Sequence, residues 1–172
     1  MQFVIKRDLL LKSLNFVQGV VEKKNTLPIL SNVLLDVSNS ELTLTATDLD
    51  LIFIHKIRNI HIQEEGRTTT SSSIMYDIVR KITSGRKINF STTGESKLNL
   101  ESENSVFNLN CIDPSEFPLT DEDFNENVFS INSKSLLKLL NKCKFSISND
   151  ETRHYLSGIF LHTTSILSLI HI

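Results

Sequence analysis

The opening of this chain occurs twice in it. Moved forward by 126 residues, the N-terminus lays Phe3 on Phe129, Ile5 on Ile131 and Leu10-Leu11-Lys12 on Leu136-Leu137-Lys138. Leu14-Asn15 then falls on Leu140-Asn141, Thr26 on Thr152, Leu30-Ser31 on Leu156-Ser157 and Leu35 on Leu161. That is 11 identities in 33 ungapped positions, in unbroken order. An internal repeat constrains the fold strongly, because whatever the first copy becomes, the second begins to become as well.

The pattern inside the first copy is mixed. Residues 2–6 (QFVIK) read as a strand, and 7–20 as an amphipathic helix with Leu10, Leu14 and Val17 on one stripe. Pro28 forbids helix continuation. Two strand-like runs follow, Asn32–Ser38 and Glu41–Thr47, joined by the polar turn Asn39-Ser40. In the second run Leu42 and Leu44 alternate with Thr43 and Thr45, the period of a half-buried strand. Residues 51–62 (LIFIHKIRNIHI) continue the alternation as a third strand, and Gly66 ends it.

The motif then restarts. Residues 67–70 are strand-like, and 71–73 supply N-cap serines for a helix through Thr83 carrying Ile74, Ile78 and Ile82. Gly85 is suited to stop that helix. Three short runs at 87–92, 97–101 and 105–111 are separated by polar turns. Strand, helix and three strands thus appear twice in about 112 residues, an α+β pattern with helices on one face of antiparallel sheets. Beyond it, 128–132 reads as strand, 133–145 as helix, and 156–162 and 166–170 as strands.

Composition places few limits. The 172 residues carry a net charge of −2 and 40% hydrophobic residues, enough for one sizeable domain and part of another. No apolar run approaches the roughly 20 residues of a membrane span, and the N-terminus lacks a secretory core, so a cytoplasmic protein with no membrane partner is expected. Cys111 and Cys143 form no CxxC pair. Charge is segregated: residues 113–126 hold six acids and no base, while 133–145 hold four lysines and no acid.

That lysine-rich helix is the most informative stretch for function. Lys134, Lys138 and Lys142 lie at i, i+4 and i+8 on one face, with Leu136, Leu137, Leu140 and Cys143 directed to the sheet. Like charges four apart oppose the helix by a few tenths of a kcal/mol each, and a phosphate backbone would relieve them. Lys12 and the loop pair Lys23 and Lys24 add to the same charge. A solvated helix face is the plain alternative. No catalytic constellation is present: Asp48 and Asp50 have no third ligand and suit turn amides, no histidines pair as HxxxH, and Ser135-Leu136-Leu137-Lys138 lacks the companions of an SxxK nucleophile. No metal or cofactor is expected, and no enzyme.

The block Thr26-Leu27-Pro28-Ile29-Leu30, the later Leu34-Leu35 and Ala46-Thr47-Asp48-Leu49 resemble, in order and spacing, the first domain of the bacterial DNA polymerase sliding clamp, the beta subunit of DNA polymerase III. The resemblance extends to about residue 170. It implies a DNA-clamp fold, with domain 1 at 1–122, an acidic linker at 123–127 and the N-terminal part of domain 2 at 128–172. It also implies a non-catalytic processivity factor of bacterial DNA replication that encircles double-stranded DNA without reading sequence and tethers the replicative polymerase. Its partners in that family are DNA, polymerase, clamp loader and a second clamp subunit.

Carried over residue by residue, the resemblance makes Lys24, Arg80, Arg153, His154 and Tyr155 DNA-contacting positions, and because the family's helices present basic residues to DNA it supports the same role for Lys12, Lys134, Lys138 and Lys142. His154 stands where the family has tyrosine, and Ser73 where a related clamp has arginine. Phe107 and Leu109 match the subunit interface, although the flanking residues are Asn104 and Val106 rather than charged. Leu156 matches the start of the pocket for partner peptides, whose other walls would lie past residue 172. On this reading the chain is a truncated clamp that does not close a ring by itself. The alternatives are an interaction protein that caps a full-length clamp through Phe107 and Leu109, and a non-functional gene remnant.

Overall fold

The computed structural model describes residues 1–21, 27–94, 96–119, 130–148, 150, 152, 154–163 and 167–170, and for 154, 162–163 and 167–170 the backbone alone. The chain divides into two compact units, Met1–Thr120 and Asp121–Ile172.

In the first unit the elements follow as β1 (Gln2–Lys6), α1 (Arg7–Val17), β2 (Asn32–Ser38), β3 (Glu41–Thr47), β4 (Ile52–Ile57), β5 (His61–Glu64), β6 (Gly66–Ser71), α2 (Ser72–Lys81), β7 (Lys87–Thr92), β8 (Lys97–Ser102) and β9 (Ser105–Ile112). They build an antiparallel sheet in the order β4-β3-β2-β6-β9-β8-β7-β1-β5. The hairpin between β2 and β3 closes on Asn39 and Ser40, both with positive φ (51° and 63°), the geometry that matches the twist of the strands it joins.

The alternating residues of the strands point to one core. Phe3 and Ile5 of β1, Val33 and Leu35 of β2, Leu42 and Leu44 of β3, Ile88 and Phe90 of β7, and Leu98 and Leu100 of β8 all enter it. Leu10, Leu14 and Val17 of α1 and Met75 and Val79 of α2 close the same core, so both helices occupy one sheet face. Phe3 and Phe90, opposite each other across β1 and β7, stack with ring centroids 4.7 Å apart. On the other side of β2, Leu34 packs with Ile29, Leu30 and Phe117 in a smaller cluster under the short turn Pro28–Ser31.

Several boundaries differ from the sequence reading. α1 stops at Val17, with residues 18–20 forming a turn instead of continuing the helix. The run 51–62 is two strands, because Asn59 takes φ 63° and turns the chain from β3's edge to β1's. α2 ends at Lys81; Ile82 is already extended, and Gly85 sits in the following turn at φ 82°. Neither Ser71 nor another serine caps α2 by its side chain; Ser71 Oγ lies 3.3 Å from Ser73 Oγ instead.

The end of α2 is held by the start of α1. Arg7 donates from Nε to the Val79 carbonyl (3.0 Å) and from Nη2 to the Arg80 carbonyl (2.8 Å), satisfying two groups the helix leaves open. Asp8 accepts from Ser84 Oγ at 3.0 Å and Gly85 N at 2.8 Å. The Arg7 guanidinium and these donors hold the Asp8 carboxyl below the usual carboxylate range.

β6 and β9 share two residue pairs, Thr69 with Ile112 and Thr70 with Cys111. Threonine hydroxyls extend the seam. Thr69 Oγ1 donates to the Ile112 carbonyl (2.7 Å) and accepts from Ile112 N (3.3 Å) and Asn32 Nδ2 (3.2 Å), while Thr70 Oγ1 donates to the Asn110 carbonyl (3.2 Å). Thr69 is fully buried. Thr69→Val keeps the shape and removes the three bonds made by the Thr69 hydroxyl, so a loss of about 1–3 kcal/mol in urea unfolding is expected; an unchanged midpoint would show the hydroxyl to be dispensable.

The second unit contains α3 (Ser133–Cys143), β10 (Phe160–Thr163) and β11 (Leu167–Ile170), the two strands pairing antiparallel. Of the expected strand at 128–132, residues 128–129 lie outside the described residues and 130–132 are irregular. The expected strand at 156–162 is a short 3-10 turn at His154–Leu156 followed by β10. Among the described residues no helix is long and apolar enough to cross a membrane.

Candidate nucleic-acid interface

Three cations of the second unit stand on α3. Asn132 starts the helix: its side-chain oxygen accepts from Lys134 N (3.0 Å) and Ser135 N (3.3 Å), filling two of the open donors. From there Lys134, Lys138 and Lys142 emerge at one-turn intervals, all exposed and none in an ion pair with a described residue. Lys142 in the last turn is favourable to the helix dipole; Lys134 in the first turn is not. The apolar side of α3 is less covered than its pattern implies. Leu136 and Cys143 are half-buried, but Leu137 is 59% exposed and Leu140 36%. The sequence expected all four to be covered by the sheet, and the described part of this unit offers too little sheet to cover them.

A second group lies past α3. Asp150 accepts from Thr152 N (3.0 Å) and Thr152 Oγ1 (2.7 Å), which hold its carboxyl below the usual range and fix a tight turn. The Tyr155 ring, three residues on, is 75% exposed, and Leu156 is half-buried with its carbonyl accepting from Ser148 N (2.9 Å). Arg153 and the His154 side chain lie outside the described residues, as does Lys24 with its neighbour Lys23.

In the first unit Lys12 is exposed on α1 and pairs with no described acid. Arg80 on α2 is exposed too, but engaged: its Nη2 lies 3.1 Å from Asp77 Oδ1 and its guanidinium 5.5 Å from the Tyr76 ring centroid. Asp48, weighed as a metal ligand, spends Oδ1 on Asp50 N (3.1 Å) and Leu51 N (2.7 Å) in the turn before β4.

Phe107 and Leu109 lie on one side of β9. Leu109 is buried in the unit's own core, whereas Phe107 is half-buried, packed against that core beside a cleft of about 230 Å³ that Ile78 and Ile82 also line. Sequence reasoning missed Arg7 and Asp8, which set one helix against the other. Their partners lie more than 70 residues away, and no local spacing marks such a pair.

Two strand–helix–strands repeats with both helices on one sheet face, and cations on those helices, define a DNA-clamp domain. The fold neighbours agree. A sliding clamp (DNA polymerase III subunit beta) from Bartonella birtlesii, solved bound to griselimycin, superposes with a TM-score of 0.91 at 37% identity, over 98% of this chain and 45% of that one. The sliding clamp of Caulobacter crescentus superposes with a TM-score of 0.89 at 37% identity, over 96% and 45%.

The chain belongs to the DNA polymerase III beta subunit family, whose N-terminal-domain model it matches over residues 1–121. Among curated relatives, the beta sliding clamp of Caulobacter vibrioides is 37% identical over 166 residues, and that of Escherichia coli 32% over 163. These alignments take in 96% and 95% of this chain but 44% of each relative, so the chain spans less than half their length.

Proposed function

We propose that this chain supplies the first domain and the opening of the second to a processivity clamp of bacterial DNA replication, a non-catalytic protein that holds duplex DNA irrespective of sequence while a polymerase works. The observation that carries this reading is the α3 stripe: three exposed lysines one turn apart, none paired with an acid among the described residues. Such a face contacts phosphates, and phosphates carry no sequence information.

In this reading Lys12 and Arg80 of the first unit, and Lys24, Lys134, Lys138, Lys142, Arg153, His154 and Tyr155, touch the DNA backbone or its bases. Phe107 and Leu109 form the contact to a second clamp subunit, with Phe107 the more exposed of the two, and Leu156 begins the site for partner peptides. The closed ring of the family draws on the further length that the relatives carry. A second reading has the chain cap a full-length clamp through Phe107. It is favoured by the open side of β9, where Val106 is 57% exposed and residues 105–110 pair with β8 alone.

The test is fluorescence anisotropy with two blunt duplexes of unrelated sequence across a salt series. Equal affinities are expected, with log K falling linearly in log salt by about 0.9 per phosphate contacted. Sequence preference, or no binding at low salt, would reject the reading. Capture of an intact clamp, abolished in Phe107→Asp, would then favour the capping alternative.

A further inference from the structure

At the open edge of the sheet, three rings gather where the core comes to the surface. Phe53 and His55 of β4 sit opposite Ala46 and Leu44 of β3, on the side of the strand that faces the core. Their planes differ by 11° and their centroids lie 6.0 Å apart. Phe16 of α1 leans over both, at 6.0 Å from Phe53 and 6.5 Å from His55, tilted by 30° and 41°. All three rings retain access to solvent, and Phe16 is 52% exposed, whereas Leu10, Leu14 and Val17 of the same helix are fully buried. The helix is anchored without the Phe16 ring.

One turn before Phe16 stands Lys12, exposed and without an ion pair to a described residue. Residues at i and i+4 hold their Cβ atoms about 5–6 Å apart, so a cation and a ring face the same volume of solvent. Of the acids in the β3–β4 hairpin, Glu41 is neutralised by Lys56 (3.1 Å) and Arg58 (3.4 Å), and Asp48 in the turn accepts from the Asp50 and Leu51 amides, while Asp50 is exposed in that turn. A flat apolar surface beside a free cation is complementary to a base and its phosphate. It is less complementary to an apolar protein segment, which has no use for the charge, or to duplex DNA, whose bases are stacked within the helix.

We propose that Phe16, Phe53 and His55 form a stacking ledge for unpaired bases of single-stranded nucleic acid, with Lys12 holding the adjoining phosphate. This deepens the proposed function and rests on the helix face of the first unit being turned to nucleic acid. It assigns that face a second substrate form, an unpaired strand.

The full chain is titrated against two labelled probes, a blunt duplex and an oligo-dT strand of about 20 nucleotides, a length that covers the usual single-strand site sizes. Phe16→Ala is expected to weaken oligo-dT binding roughly tenfold, the scale of one base–ring stack, and to leave duplex binding unchanged. Phe16→Tyr should restore the strand affinity, and His55→Ala should lower it in the same direction. Failure of the wild-type chain to bind oligo-dT, an unaltered strand affinity in Phe16→Ala, or equal losses on both probes would overturn the ledge and leave the patch to an apolar protein partner. Phe16-dependent strand binding without any duplex binding would uphold the ledge and sink the proposed function. The two failures are therefore told apart.

Discussion

Replacing Lys134, Lys138 and Lys142 together with alanine is expected to flatten the salt dependence of duplex binding by roughly 2.7 in the log–log slope, about 0.9 for each phosphate no longer neutralised. Affinity at low salt should fall by two orders of magnitude or more, because the electrostatic contribution is largest there. The fold should not suffer. All three side chains are exposed, no acid among the described residues pairs with them, and removing like charges one turn apart relieves a few tenths of a kcal/mol per pair. A melting temperature that holds or rises while DNA binding collapses would assign the stripe to the ligand rather than to stability. An unchanged slope would show that α3 does not face DNA.

The second large effect is expected in the core. Phe90→Ala removes a ring that is 1% exposed and stacks on Phe3 with planes 2° apart. The destabilisation combines apolar transfer, a cavity and the missing ring–ring attraction, together about 3–5 kcal/mol. Against the roughly 5–15 kcal/mol that holds a typical domain, that is a large fraction of the whole. Each kcal/mol moves the midpoint of a small domain by roughly 4–8 °C, so the first unit should melt at least about 12 °C lower when followed by circular dichroism. A shift of a few degrees would mean that the strands around β7 collapse into the space. Phe90→Leu, which leaves less to fill, should fall between the two.

What the sequence made legible was whatever is written locally. β2, β3 and β7 have the boundaries that period-two alternation implies, and the turn at Asn39-Ser40 has the backbone that its polar residues favour. The run 51–62 misled because alternation records which face a side chain takes and not which neighbour a strand joins. The one local sign of the turn that moves the chain to another part of the sheet is a slip in the rhythm, with Ile57 and Ile60 three residues apart around Asn59. The lysine stripe was legible for the same reason as the strands, since one helix face is a matter of spacing. The burial of its apolar side was not, because burial depends on what lies across from it. The hold of Arg7 on the end of α2 and the gathering of Phe16 with Phe53 and His55 both need the folded chain, in which distant residues meet.

The threonine seam between β6 and β9 has a mechanical meaning. Neighbouring strands are rotated by about 20–25°, so nine strands joined evenly would turn through roughly half a revolution from edge to edge. Here the joints on either side of the seam have six pairs each, β2 with β6 and β8 with β9, while the seam itself has two. The sheet is therefore two stiff panels with a pliant line between them, and that line runs through Thr69 and Thr70. Bending along it costs two ladder rungs and a few hydroxyl bonds; bending on either side costs three times as many rungs. A wall assembled from such panels takes up curvature at fixed lines and keeps the surfaces between them rigid.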